Sequence, residues 1–223
     1  MLSFIFIIFL IVTIYYVIVN HIRIKWKTFF RKGFAPVRGK FGVYCYCGKQ
    51  GQGKTYSAVE YLLEHTDKTI YSNVTSIKGV EYTPIGGVDD LLKLRKEHDC
   101  VIFFDEIFTW LTKSSKMTSE VLDFLSQMRK RRIIFITTAQ EWLEINITLR
   151  RYCRFQIDCK MYNILGLGIL VKTFHNAEEM KWSQIDNEYV APILETTISK
   201  CNIHVANSYD TYEQIQTTDK KLI

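Results

Sequence analysis

The sequence predicts an α/β fold, a mainly parallel sheet flanked by helices, preceded by one N-terminal transmembrane helix. Three observations carry this. The first 19 residues, MLSFIFIIFLIVTIYYVIV, contain no charged side chain. Residues 42–64 read as a short apolar strand, a glycine loop and an amphipathic helix. Residues 100–106, CVIFFDE, read as a buried strand ending in two carboxylates.

The apolar run comes first. About 20 helical residues cross a hydrocarbon core of about 30 Å. Tyr15, Tyr16 and Trp26 suit the interfacial zone. A cleaved signal peptide would carry positive charge before its apolar stretch and small residues after it. Here Arg23, Lys25, Lys27, Arg31, Lys32, Arg38 and Lys40 all follow the run. A retained anchor is therefore expected over residues 1–19. The positive-inside rule places the N-terminus outside and residues 20–223 on the cytoplasmic side. Residues 20–40 form a basic juxtamembrane segment, with Trp26, Phe29, Phe30 and Phe34 able to dip into anionic lipid.

Those seven cations account for the formal net charge of +6. The remainder of the chain is close to neutral, which excludes a basic nucleic-acid footprint spread over the whole domain. About 180 residues follow the first forty, enough for one domain with a real core. None of the six cysteines forms a C-x-x-C pair, and no His/Cys spacing suits zinc. Cys45 and Cys47 fall on one face of the first strand and read as small buried hydrophobes in a reducing compartment.

Strand 42–47 leads into Gly48-Lys49-Gln50-Gly51-Gln52-Gly53-Lys54-Thr55, which matches G-x-x-x-x-G-K-[ST] at every fixed position. A helix-compatible run begins at Tyr56, with Ala58, Val59, Leu62 and Leu63 at helical spacing. The glycines let several backbone N–H groups converge on one concavity, and the helix N-terminus adds its positive dipole end. Lys54 supplies a point charge to the β- and γ-phosphates, and Thr55 a hydroxyl to Mg²⁺. Residues 48–56 are thus the expected nucleotide cradle, and residues 41–206 a P-loop NTPase domain. An N-K-x-D base-recognition motif is missing from the sequence, which favours ATP.

The acidic strand supplies the second half of the site. Ligands of open α/β sheets bind beyond the carboxyl ends of the strands. Asp105 is expected in the Mg²⁺ shell, and Glu106 as acceptor of the attacking water's proton. Residues 118–132 read as a helix ending in Arg129-Lys130-Arg131-Arg132. The next strand, IIFITTAQ (133–140), places Gln140 beside the acidic pair, where it could orient water or report nucleotide state. The 129–132 run and the group Arg150, Arg151 and Arg154 offer either a trans-acting arginine finger or phosphate-backbone contacts.

Beyond residue 153, RFQIDCKMY and LGILVKTFH read as a hairpin around Gly166 and Gly168 that closes the sheet edge. Pro192 argues against one long helix over 176–200. Residues 207–223 form a polar tail that frays or docks on a neighbour.

With these pieces assembled, the chain resembles the zonula occludens toxin-like family, the filamentous-phage assembly ATPases of the FtsK–HerA class. The resemblance covers about residues 40–160. It rests on the phosphate loop 48–55, the strand ending Phe104-Asp105-Glu106, and LSQMRKRRIIFITTAQEWLEINITLRRYCRF (125–155). It implies a RecA-like sheet, ATP hydrolysis with Mg²⁺, and a homo-oligomer with sites between subunits. It also implies extrusion of phage DNA across the membrane of a bacterial host, in company with virion-assembly or coat proteins. Lys54 and Thr55 would bind phosphate and Mg²⁺, Asp105 and Glu106 would be the acidic pair, Gln140 the sensor amide and Arg129 the finger. Here the apolar helix precedes the ATPase segment, whereas in that family it often follows. Genome-packaging ATPases of membrane-containing tailless phages share the size and layout. A slow nucleotide-dependent membrane scaffold would share the phosphate loop, but the intact acidic pair argues for hydrolysis.

Overall fold

The computed structural model describes residues 2–24, 41–107, 111, 117–184, 188–211 and 213. Helix α1 spans Leu2–Val19, and strand β1 spans Ile22–Ile24. Strand β2 (Gly42–Cys47) leads through the glycine loop into α2 (Lys54–Glu64). Then follow β3 (Thr69–Ser72), β4 (Thr83–Pro84), α3 (Val88–Lys93), β5 (Cys100–Phe104), α4 (Ser119–Gln127) and β6 (Ile134–Ala139). The chain continues through α5 (Ile147–Tyr152), β7 (Cys153–Ile164), β8 (Leu167–Asn176), β9 (Lys181–Ser183), β10 (Glu188–Val190), β11 (Ile193–Lys200) and α6 (Ile203–Ala206).

Among the described residues, nine strands form one sheet in the order β1-β11-β8-β7-β2-β6-β5-β3-β4, and β9 pairs with β10 apart from it. Strands β7, β2, β6, β5, β3 and β4 run parallel to one another, whereas β8 is antiparallel to both β7 and β11. The expected α/β fold with a mainly parallel sheet is present. Strands β2, β5 and β6 are buried at every position, because helices cover both faces. Val43, Cys45, Cys47, Ile102, Phe104 and Phe135 point to one face, against Phe124 and Met128. Tyr44, Tyr46, Val101, Phe103 and Ile136 point to the other, against Ala58, Val59 and Leu62 of α2. The alternation of side chains along a strand therefore feeds two cores. Cys45 and Cys47 are free, buried and 3.7 Å apart on one face, as the strand period requires.

Several expectations need correction. The 153–176 hairpin turns at Leu165–Gly166, with Gly168 inside β8, and it does not close the sheet, because β11 and β1 extend it further. The helix expected over 118–132 stops at Gln127. Thr118 caps it by accepting from the Val121 N–H, and the basic run forms the turn into β6. The N-terminal flank is more than a membrane margin, since Ile22–Ile24 pair in parallel with Thr196–Ile198. Residues 25–40, with the rest of the basic segment, lie outside the described residues. Among the described residues no helix is long and apolar enough to cross a membrane. Helix α1 has 18 residues, about 27 Å at 1.5 Å each against a core of about 30 Å. Its side chains from Ile5 to Val19 are nearly all exposed.

Candidate active site

The site forms where β2, β5 and β6 end. Strand β6 lies between the phosphate-loop strand β2 and the acidic strand β5. This places Gly48, Asp105 and Gln140 along one edge. Gly48 carries φ +151°, and its N–H donates to the Ala139 and Gln140 carbonyls at 3.2 and 3.1 Å. A Cβ there would lie 2.7 Å from the Cys159 carbonyl oxygen of β7, so only glycine lets the two chains run so close. Gly53 caps α2 in the left-handed region at φ +83°. A Cβ on it would meet Met161 Cε at 2.8 Å and Leu170 Cδ1 at 2.9 Å. The β7–β8 hairpin thus forms a wall along the loop, fastened where Met161 N donates to Gln52 Oε1 at 2.9 Å.

Lys49, Gln50 and Gly51 are exposed at the crest of the loop. Lys54 Nζ donates to the Lys49 carbonyl at 3.1 Å, which holds the ammonium over the loop. Tyr56 differs from the sequence expectation. Its ring is buried, and its hydroxyl accepts from Asn202 N at 2.6 Å, so the side chain serves the C-terminal segment rather than a nucleotide.

Asp105 is buried, and its carboxylate is gripped from both sides. Thr55 Oγ1 donates to Oδ2 at 3.2 Å, and Thr138 Oγ1 donates to Oδ1. Burial pushes the Asp105 carboxyl up, the hydrogen bond from Thr138 opposes this, and the charge on Glu106 adds to it; the net shift is upward. The same Thr138 hydroxyl accepts from Glu106 N at 3.0 Å. Glu106 is half-buried at φ +54°, a backbone region that a non-glycine residue keeps only when its surroundings impose it. Asn73, at the end of β3, supplies the rest of that imposition. Its Oδ1 accepts from Asp105 N at 2.7 Å, and its Nδ2 donates to the Asp105 carbonyl at 3.1 Å.

Asn73 and Thr138 were missed at the level of sequence. Thr138 left a signal, because two threonines in the otherwise apolar strand IFITTA need partners when buried. Asn73 left only its position after a strand. Gln140 follows β6, the strand between the phosphate-loop strand and the acidic strand; it is half-buried, and its carbonyl accepts from Gly48 N. Arg129 is not brought to this site. It lies beside Gly42 at the opposite end of β2, roughly 20 Å of strand away, and pairs with Glu178 at 3.0 Å. Arg150 is buried against Trp142, with its guanidinium carbon 6.0 Å from the ring centroid, and Arg154 donates to the Phe41 carbonyl at 2.9 Å. Both are built into the fold.

Among the described residues no cluster of three or more His, Cys, Asp or Glu side chains could hold a metal ion. Thr55 and Asp105 offer a pair of hard oxygens instead. That donor set suits Mg²⁺, whose remaining ligands are ordinarily phosphate oxygens and water.

The ATPase family associated with various cellular activities (AAA) matches residues 44–162, just over half of the chain. Among solved structures, the N-terminal domain of zonular occludens toxin from Neisseria meningitidis is 14% identical. The match covers 77% of this chain and 100% of that one at a TM-score of 0.55, and it shows the shared fold. The genome packaging NTPase B204 from Sulfolobus turreted icosahedral virus 2, in complex with ATP-gammaS, is 11% identical. It covers 70% of this chain and 100% of its own at a TM-score of 0.47. No curated protein matches the chain in sequence. A complete phosphate loop, a buried acidic strand one strand away and the family match over both lead to one assignment: the chain belongs to the ATPase family associated with various cellular activities and is a P-loop enzyme that hydrolyses ATP.

Proposed function

We propose that this ATPase is anchored to a membrane by α1 and uses ATP hydrolysis to move phage DNA across that membrane during virion assembly. The observation that carries the membrane half is α1 itself. Its apolar side chains are exposed around the helix, and two residues later the chain enters the ATPase sheet as β1. An apolar surface of that kind is costly in water and matched by lipid. The few ångströms by which α1 falls short of the hydrocarbon thickness cost fractions of a kcal/mol each, through local thinning. In this reading the N-terminus faces outward. The ATPase domain then lies at the cytoplasmic face of a bacterial inner membrane. The DNA half is supported by the resemblance of residues 125–155 and by the fold shared with the toxin domain. Homo-oligomers and coat or other assembly proteins are the implied partners.

At the site, Thr55 Oγ1 and Asp105 would hold Mg²⁺, which neutralises charge on the β- and γ-phosphates when bound. The chain's own groups do the remaining work. Loop N–H groups and Lys54 orient the phosphates, Glu106 takes the proton of the attacking water, and Gln140 aligns that water.

Two measurements test the proposal on the full chain. Alkaline extraction of membranes should leave the protein in the pellet, and deletion of residues 1–19 should release it; a full chain that extracts freely contradicts anchoring. ATP turnover of the full chain in liposomes should rise with single-stranded DNA. No response to either single-stranded or duplex DNA contradicts the DNA role, and a response to duplex alone points to packaging.

A further inference from the structure

The described residues after β11 pack back onto the body of their own chain. Asn202 N donates to the Tyr56 hydroxyl and fixes the start of this segment on α2. Val205 of α6 is fully buried in the core cluster that contains Val59 and Leu62. Past it, Lys78 N donates to the Ser208 carbonyl at 2.7 Å, and Asp210 N donates to Ser76 Oγ at 2.9 Å. The Glu213 carboxylate then accepts three hydrogen bonds, from Thr75 N at 2.7 Å, Thr75 Oγ1 at 2.5 Å and Ser76 N at 3.0 Å. The tail expected to fray or dock on a neighbour is, over residues 207–211 and at 213, a strap across the loop 75–78 of its own chain.

That loop is two residues from Asn73, the side chain that grips both backbone polar groups of Asp105. We infer that Glu213 is a positioning residue for ATP hydrolysis: through loop 75–78 and Asn73 it holds Asp105 and Glu106 in their working geometry. Glu106 needs such support because its φ of +54° is a conformation the backbone leaves when released. Asn73 can impose it only while its own loop is fixed. Tyr209 of the strap packs on the cluster that contains Val74 and Ile77. Burial pushes its phenol up, the hydrogen bond with Thr211 opposes this, and the Asp105 charge adds to the rise. Burial alone would raise the Glu213 carboxyl, but the donors at Ser76 and Thr75 outweigh it and hold it below the usual range. The strap is therefore fastened by an ionised carboxylate.

The inference rests on Asp105 and Glu106 being the hydrolytic pair. The experiment separates the two claims by steady-state turnover and ATP affinity of the full chain. Glu106→Gln should bind ATP and not turn over; wild-type turnover in that variant sinks the site reading and, with it, the strap's target. Glu213→Ala should lower kcat about tenfold while KM and ATP affinity stay within about twofold, since a small displacement of reacting groups acts on the chemical step. Asn73→Ala should show the same split. The double variant should be no slower than Asn73→Ala alone, within about twofold, because both residues act through one group. Glu213→Gln keeps one carbonyl acceptor and should fall between wild type and Glu213→Ala; it decides the matter if Glu213→Ala fails to fold. Wild-type kcat in the Glu213 variants, losses that multiply in the double variant, or an effect on affinity with kcat intact overturns the inference while leaving the site reading in place.

Discussion

Replacing Lys172 with methionine tests how the phosphate-loop helix is held. Lys172 Nζ of β8 lies 2.7 Å from Glu60 Oε2 of α2, with side chains only 6% and 14% exposed. At that distance the Coulomb attraction is roughly 6 kcal/mol at an effective dielectric of about 20, and desolvation takes back several kcal/mol for each ion. The net value of the intact pair is therefore small. The cost of breaking it is large, because the remaining charge stays buried without its counter-charge. Burial alone would lower the Lys172 ammonium pKa, yet Glu60 outweighs it and the net shift is upward, so the lysine stays charged at neutral pH. Lys172→Met keeps most of the side-chain volume and should cost about 3 kcal/mol, lowering Tm by roughly 6–12 °C for a chain of this length. Glu60→Leu should cost a similar amount, and Glu60→Leu with Lys172→Met together should return to within about 1 kcal/mol of wild type. Thermal unfolding of all four proteins, followed by tryptophan fluorescence, reads the cycle. A single variant costing under about 0.5 kcal/mol, as an exposed pair would, or a double variant as unstable as the sum of the singles, refutes the reasoning.

Thr138→Val preserves shape in a buried strand but removes the hydroxyl shared by Asp105 and the Glu106 N–H; kcat should fall about tenfold with ATP affinity kept, and an unchanged kcat would remove Thr138 from the site. Asp105 is ionised at a cost, since burial raises its folded-state pKa and the ionised form destabilises the fold above that pKa. Asp105→Asn should therefore lose turnover yet gain about 1 kcal/mol of stability at neutral pH; a large loss of stability would show that the carboxylate is structural. His175 Nε2 lies 3.0 Å from Asp158 Oδ2, and its Nδ1 lies 3.2 Å from the Ala191 carbonyl. Burial lowers the His175 pKa, Asp158 raises it more, and the net shift is upward. Its stabilising contribution should be complete below about pH 6.5, the unfolded value, and should fade as pH rises through the higher folded value. His175→Gln should flatten that part of the stability–pH curve, and an unaltered slope would contradict it.

The parallel core was legible because β2, β5 and β6 are covered on both faces, so burial left continuous apolar runs in the sequence. The phosphate loop was legible because its glycines answer to local backbone geometry. What stayed hidden depends on distant chain. Asn73 meets Asp105 across 32 residues, and Lys172 meets Glu60 across 112. Neither leaves a periodic trace. The strand Ile22–Ile24 is three residues long and sits in a basic stretch, so no alternation marked it. Arg129 was expected as a trans-acting finger, which reaches a neighbouring subunit's site. The turn into β6 puts it at the N-terminal end of the strands, away from its own chain's phosphate loop.

The central claim is ATP hydrolysis at the junction of β2, β5 and β6. Phosphate release by the purified full chain tests it most directly, beside Lys54→Ala and Glu106→Gln. The account predicts turnover by the wild type, none by either variant, and retained ATP binding by Glu106→Gln. A folded Lys54→Ala protein that hydrolyses ATP at the wild-type rate would contradict it.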